Sequence, residues 1–183
     1  YDFVQCSLRP DCKKVSPSPG PVIPPGPGGL TFIIPYRDSS VNVIDPEGIK
    51  ALVKSYWPQS KVYERWDEIV QRAKENGINP AFVLAIWIEE SGASGAGAQS
   101  DFGCFPGGNT SQTVPFDRSL NCFINFTANE HPNDFTDWVR YFCGPKADPI
   151  CSNNPGFLGR IKYWYSKLVP PGNPGALTPI ERL

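Results

Sequence analysis

The chain has 183 residues, of which 40% are hydrophobic and 13% aromatic, and its formal net charge is -1. This length suits one domain with short additions, so we do not expect a multidomain enzyme. The nearly neutral charge argues against nucleic-acid binding, and no apolar run reaches the ~18 residues that a membrane span requires.

The first 29 residues are predicted to form a spacer ahead of the domain. Residues 16–29 contain six prolines and four glycines, a composition that cannot bury a core and prefers extended backbone. The spacer is either a stalk that carries the domain away from a membrane or wall, or a disordered terminus. We therefore divide the chain into a Cys-containing segment with a Pro/Gly-rich linker, 1–29, and one domain, 30–183.

Six cysteines are distributed along the chain without any Cys-x-x-Cys pair. An even number without metal-ligand spacing indicates disulfides rather than a zinc site, and we expect neither a metal nor another cofactor. The chain also has no methionine, even at position 1. Both features suggest export, so we predict a secreted or extracytoplasmic protein, tethered through the linker if that segment is a stalk. Pairing of sequence neighbours is one of several possible connectivities, and it would join Cys6 to Cys12, Cys104 to Cys122 and Cys143 to Cys151.

Helical periodicity dominates the domain. Apolar residues recur at helical spacing between Asn, Asp, Gly and Pro residues that are typical of helix ends, and one short apolar run near the start of the domain suggests a strand. The pattern therefore predicts a mainly α domain. The predicted elements are an extended segment at 30–35 and helices at 45–56, 60–76, 79–90, 117–127, 133–142 and 156–168.

The third predicted helix is apolar on every face and ends in two acids. Asn79 suits its N-cap and Pro80 its first turn, while residues 82–88 are all apolar, which predicts a helix buried in a core. Glu89 and Glu90 then emerge where the core ends. Loss of hydration and the negative end of the helix dipole both favour a protonated carboxyl group there, as a general acid requires. The alternative interpretation is a pair of Glu residues that close the helix and face solvent.

The residues after this helix favour the catalytic interpretation. Glu90-Ser91 is followed by a loop of small residues and then by Asp101-Phe102-Gly103-x-Phe105. This segment resembles the active-site segment of the lysozyme-like superfamily. The preceding Asn-Pro-Ala-Phe-Val-Leu-Ala is similar to the helix of lytic transglycosylases and goose-type lysozymes, and Asp-Phe-Gly to the Asp-Tyr-Gly of chicken-type lysozymes. Bacterial glucosaminidases, with Glu-Ser-Gly and a later Phe-Gly, match about as well.

The resemblance implies a fold and a set of site residues. The fold would be a lysozyme-like helical domain with a small β or loop region after the catalytic helix. Glu90, which precedes Ser, would be the general acid and then base, and Asp101 is either a second catalytic carboxylate or a turn residue. A tyrosine on a late helix approaches the catalytic Glu in lytic transglycosylases. The implied substrate-binding residues are Ser91, Phe102, Gly103, Phe105 and, as that late tyrosine, Tyr163 or Tyr165.

The implied function is cleavage of the glycan strands of peptidoglycan, or of a related N-acetylated glycan, by a monomeric muramidase or lytic transglycosylase. Two alternatives stay open. One is an N-acetylglucosaminidase of the same superfamily, and the other is a catalytically inactive module that binds cell-wall carbohydrate. The only histidine, His131, lies in a polar loop, which argues against a Ser-His-Asp or Cys-His site.

Overall fold

Six α-helices, one π-helical segment and a two-stranded sheet make up the regular structure of the computed structural model, which describes residues 30–95, 100–106, 112–130, 134–143 and 155–180. The prediction of a mainly helical domain is confirmed. The segment 1–29, with Cys6, Cys12 and the linker, lies outside the described residues. The helices are α1 (Pro46–Tyr56), α2 (Val62–Glu75), α3 (Pro80–Ser91), α4 (Phe116–Asn125), α5 (Phe135–Cys143) and α6 (Pro155–Leu168).

The sheet joins the two ends of the described chain. Strand β1 (Phe32–Ile33) pairs antiparallel with β2 (Thr178–Pro179), with Phe32 opposite Pro179. This confirms the extended segment predicted at 30–35. In its described part, the region between α3 and α4 contains loops and turns and no strand.

Helix α3 lies at the centre of the domain. The Asn79 side chain accepts hydrogen bonds from the amides of Ala81 and Phe82, and Pro80 occupies the first turn, so the helix begins as predicted. Every residue from Pro80 to Ile88 is buried. Helices α2 and α6 pack along α3, which accounts for a helix that has no polar face.

A block of aromatic rings connects α3 with α4 and α5. The Phe82 ring of α3 packs edge-on against Trp138 of α5 at a centroid distance of 4.8 Å. Trp138 stacks on Phe142 one turn later, at 4.6 Å. Phe123 of α4 contacts both Phe82 and Trp138. These contacts hold α4 and α5 against the first turn of α3, where Phe82 lies.

The boundaries of α4 and α6 differ from the predicted ones. Asp117 does not cap α4, because the helix begins at Phe116 after Pro115, and Asp117 lies in the first turn, where an acid suits the helix dipole. Helix α4 ends in a π-helical segment, Phe126–Glu130. In α6, Pro155 is the first helical residue rather than a residue before the helix. Proline suits this position because its missing N–H has no intrahelical partner there.

Candidate active site

The end of α3 is fixed by its neighbours. Gly92 adopts a left-handed conformation with φ of 63° and donates its amide to the Ile88 carbonyl. A β-carbon at Gly92 would lie 2.8 Å from the Trp57 ring, so glycine is required for space as well as for conformation. The Ser91 hydroxyl donates to the Trp87 carbonyl at 3.0 Å and accepts the Ser94 amide at 3.2 Å. Ser91 therefore closes the helix locally, and its contact with substrate stays a prediction.

The Glu90 carboxylate lies against the backbone of Gly103. A β-carbon placed on Gly103 would be 2.9 Å from Glu90 Oε2, 3.1 Å from its Cδ and 3.4 Å from Cζ of Phe142. Glu90 is partly buried, whereas Phe142 is fully buried. Gly103 has φ of 66°, so both its conformation and the space around it require glycine. The structure thus brings together Glu90 and Gly103, two of the residues predicted from the sequence.

The neighbouring acid, Glu89, contacts α6 instead. Its Oε1 accepts a hydrogen bond from Arg160 Nε at 2.5 Å, and its side chain is only 9% exposed. The Arg160 side chain is 34% exposed, so the ion pair lies at the edge of the core. Glu89 therefore links the end of α3 to α6, while Glu90 faces Gly103.

Asp101 is completely buried and organises the loop after α3. Its Oδ1 accepts hydrogen bonds from Trp87 Nε1 at 3.3 Å, from the Ser94 hydroxyl at 3.0 Å and from the Gly95 amide at 2.7 Å. Buried charge requires this kind of compensation. These contacts fit one of its two possible roles, that of a residue that organises a turn. The other role, as a second catalytic carboxylate, stays a prediction.

The aromatic residues of the Asp-Phe-Gly segment belong to the core. Phe102 is 0% exposed and stacks between Trp87 and Phe123, at centroid distances of 6.4 and 5.6 Å. Phe105 is 6% exposed. The predicted role of these rings as walls that bind sugar is therefore corrected for Phe102, whose ring has no accessible face. Its apolar side chain instead supports the turn that carries Gly103.

The described disulfide holds the same turn. Cys104 is bonded to Cys122 of α4, with the two Cα atoms 5.8 Å apart, which confirms one of the three predicted pairs. Cys143 is also disulfide-bonded. Cys151, its predicted partner, lies outside the described residues, as do Cys6 and Cys12, so the other two predicted pairs stay predictions.

Tyr165 lies at the wrong end of α3 to approach Glu90. Its hydroxyl accepts a hydrogen bond from Asn79, the N-cap of α3, at 2.8 Å and donates to the Gly175 carbonyl at 2.5 Å. Because α3 has 12 residues, this end lies roughly 16 Å from Glu90. Burial raises the pKa of Tyr165 to about 12. The prediction that Tyr165 approaches the acid is wrong, because α6 packs along α3 with this tyrosine directed at the helix start.

Tyr163, the other predicted tyrosine, lies on a different face of α6. It is partly buried, is hydrogen-bonded to Tyr56, and meets the Trp164 ring edge-on at 5.1 Å. Burial raises its pKa, and the hydrogen bond with Tyr56 adds to that effect. These contacts connect α6 to α1. A role for Tyr163 at the site stays a prediction.

Sequence reasoning missed residues that shape the surroundings of Glu90 from distant helices. Arg160, Phe142 and Ser119 belong to α6, α5 and α4, and each contacts either a neighbour of Glu90 or the turn that carries Gly103. Periodicity identified Phe142 as apolar, but it could not identify the partner of that ring. For Ser119 and Arg160, the sequence offers no motif.

In the part of the chain that the structure describes, no helix is long and apolar enough to cross a membrane. The same residues contain no group of three or more His, Cys, Asp or Glu side chains placed to hold a metal ion. Searches with protein-family models, against curated proteins and against solved structures found no match to this chain. The relationship to the lysozyme-like superfamily therefore stays a prediction that rests on residues 77–106.

Proposed function

We propose that this protein is a lysozyme-like enzyme that cleaves the glycan strands of peptidoglycan, with Glu90 as general acid and then general base. The observation that carries the proposal is the placement of Glu90. Its carboxylate ends a helix in which nine consecutive residues are buried, and it meets the backbone of Gly103 at the edge of the core. A carboxylic acid fixed at this point by the helix and by the turn that carries Gly103 has one defined direction in which to present a proton to a leaving oxygen.

The chemistry follows from one acid that acts twice. The protonated Glu90 donates its proton to the glycosidic oxygen as the bond from that oxygen to the sugar C1 breaks, which leaves positive charge on the ring. The resulting carboxylate then removes a proton from the group that attacks C1. That group is either water, which gives a reducing end, or a hydroxyl of the same sugar, which gives an anhydro end. In both cases Glu90 returns to its protonated form.

The contacts of Asp101 favour the anhydro product. Hydrolysis through a second carboxylate requires a group that can activate water or stabilise the charged ring from the other side. The Oδ1 atom of Asp101 is buried and shared among Trp87, Ser94 and Gly95. A reaction in which the substrate supplies its own nucleophile needs only Glu90. We therefore propose lytic transglycosylase chemistry ahead of muramidase chemistry, in an exported protein to which the Cys104–Cys122 disulfide is suited.

The test is the Glu90→Gln variant assayed on purified cell walls. The amide keeps the size of the side chain but holds no transferable proton, so we expect loss of wall clearing by at least about 100-fold. Wall binding measured by co-sedimentation should persist. Glu89→Gln is the matched control, because it removes the neighbouring carboxylate and its ion pair with Arg160. It should lower Tm yet retain wall clearing.

The products separate the related activities. An anhydro-muramic end supports the proposal in full, a reducing muramic end supports a muramidase, and a reducing glucosamine end supports a glucosaminidase. A wild-type protein that binds walls but never clears them would establish a binding module instead. Clearing that survives in Glu90→Gln and is lost in Glu89→Gln would move the acid to Glu89.

A further inference from the structure

The turn that carries Gly103 is built across a hydrogen-bond network with one member in another helix. The Gly103 amide donates to the Ser100 carbonyl, and the Ser100 hydroxyl donates to the Cys104 carbonyl at 2.8 Å. Ser119, in α4, places its hydroxyl 2.6 Å from the Ser100 hydroxyl and accepts the Phe102 amide at 3.2 Å. Ser119 is 0% exposed and Ser100 is 6% exposed.

The directions of these bonds follow from the number of protons available. A serine hydroxyl carries one proton, and the proton of Ser100 is used on the Cys104 carbonyl. The short contact between the two hydroxyls is therefore donated by Ser119. The network then runs from the Phe102 amide through Ser119 and Ser100 to the Cys104 carbonyl. Each buried polar group in it has a partner, which is the condition for a rigid polar cluster in a core.

Helix α4 fixes the same turn at a second point. Cys122 lies three residues after Ser119, so the two side chains share one face of the helix. Cys122 is bonded to Cys104, the residue directly after Gly103. The turn is thus attached to α4 by a hydroxyl at its centre and by a disulfide at its end. The position of Gly103 relative to Glu90 Oε2 depends on both attachments.

We propose that Ser119 is a positioning residue for Glu90, an inference that rests on the proposed function. Ser119 acts through the turn, because its hydroxyl sets the path of Phe102 and hence of Gly103 against the carboxylate. Loss of the hydroxyl leaves the buried Phe102 amide without its acceptor and Ser100 without its donor. The turn then relaxes, and the Glu90 carboxylate loses the wall that holds its orientation.

The test compares Ser119→Ala with Thr127→Val. Both variants remove a buried hydroxyl with a hydrogen-bond partner, since Thr127 accepts Trp138 Nε1 at 3.1 Å and is 0% exposed, but Thr127 does not bond to the turn. Misplacement of a catalytic group by about 1 Å costs up to about 100-fold in rate. We therefore expect Ser119→Ala to lower kcat by roughly 10- to 100-fold with little change in KM. Thr127→Val should lower Tm about as much as Ser119→Ala does, but it should leave kcat within about twofold of the wild-type value.

A second readout keeps this inference separate from the proposed function. The carbon-13 resonance of the Glu90 carboxyl group and the amide resonance of Gly103 report the geometry without any turnover. Both should shift in Ser119→Ala and stay in place in Thr127→Val. If the wild-type protein proves inactive, the proposed function fails, while these shifts still support the positioning role. Equal kcat and equal spectra in the two variants would overturn it.

A folding defect in Ser119→Ala does not leave the question open. Ser119→Cys keeps a side chain of similar size but places a weak acceptor at the Phe102 amide and a weak donor at Ser100. If Ser119→Ala is unfolded by circular dichroism, Ser119→Cys takes its place. A fall in kcat with little change in KM supports the proposal, and an unchanged kcat contradicts it.

Discussion

Gly103 determines how closely the backbone can approach the Glu90 carboxylate. Its φ of 66° is a conformation that residues with a β-carbon rarely adopt, and the space that such a carbon would need is taken by Glu90 Oε2. A glycine here serves two purposes at once. It allows the turn to form, and it brings a backbone segment rather than a side chain against the acid.

Asp101 tests whether the site contains one acid or two. In Asp101→Asn the amide oxygen can still accept from Trp87, Ser94 and Gly95, so the loop should keep its structure. If Asp101 only organises the loop, we expect kcat to fall by less than about tenfold and stability to fall by about 1–2 kcal/mol, because a bond to a charged acceptor is replaced by a neutral one. Steady-state kinetics and urea denaturation measure the two quantities.

The opposite pattern would restore Asp101 as a catalytic group. A kcat that falls by more than about 100-fold while the urea midpoint is unchanged cannot come from a disturbed loop. Asp101→Ala provides the reference for loop damage, since it removes the acceptor for all three donors. That variant should lose stability as well as activity.

At the scale of elements, local signals predicted where most helices begin and end. Asp45 and Asn79 cap α1 and α3, and each precedes a proline in the first turn. Such signals act within a few residues and depend little on the rest of the chain. Asp117 shows their limit, because Pro115 at the preceding boundary shifted the start of α4. An acid near a helix start fits either the cap or the first turn, and the sequence does not separate them.

Contacts between elements were harder to predict than the elements themselves. The resemblance to the lysozyme-like superfamily implied that Phe102 and Tyr165 are site residues. A resemblance in sequence identifies segments, but it does not show which neighbour each side chain faces. Phe102 is directed into the core by Trp87 and Phe123, and Tyr165 is directed to Asn79. Periodicity defines the faces of a helix. The packing of α6 on α3 joins segments that are far apart in the sequence, so a local pattern cannot predict it.

The Cys104–Cys122 disulfide is expected to affect stability and activity together. It closes a loop with a sequence separation of 18, and a loop of this size stabilises the folded state by about 3 kcal/mol. The double variant Cys104→Ser/Cys122→Ser should therefore lose about 3 kcal/mol in urea denaturation. Because Cys104 follows Gly103, the double variant should also have a lower kcat than the wild type, even when kcat is measured well below the Tm of the variant, where the variant is folded.

The matched comparison is wild-type protein treated with a mild reductant. If reduction of this disulfide lowers the activity of the wild type, the same reductant should have less effect on the double variant, which no longer contains the bond. Full activity in a double variant that has lost its stability would show that the hydroxyl network of Ser119 is sufficient to hold the turn.

At the scale of the whole molecule, distant parts of the chain meet at the start of α3. The Asn79 side chain donates to the Pro35 carbonyl, near β1, and to the Tyr165 hydroxyl of α6. Tyr165 donates onward to Gly175, just before β2. One buried cluster therefore joins the first strand, the central helix, the last helix and the segment that leads into the second strand. The proposed acid, Glu90, lies at the far end of the same helix, so this cluster stabilises the fold at a distance from the candidate site.

The raised pKa of Tyr165 makes the free energy of unfolding depend on pH in the alkaline range. The value of about 12 lies above the ordinary 10.0, so the folded state retains the phenol proton after the unfolded state has lost it. The stabilisation is complete below pH 10 and is lost as the pH rises towards 12. Over that interval this group lowers the free energy of unfolding by roughly 1.4 kcal/mol per pH unit.

Tyr165→Phe should flatten that dependence. The variant loses two hydrogen bonds, so near neutral pH we expect a stability lower by about 1–3 kcal/mol. Between pH 10 and 12 its free energy of unfolding should fall less steeply than that of the wild type, because no phenol remains at this position to titrate. Urea denaturation across this range measures both slopes, with Tyr63→Phe, at a tyrosine that is 48% exposed, as the control. Parallel curves for the wild type and Tyr165→Phe would mean that the buried cluster does not control alkaline unfolding, because a proton held only by the folded state must appear in the difference between the slopes.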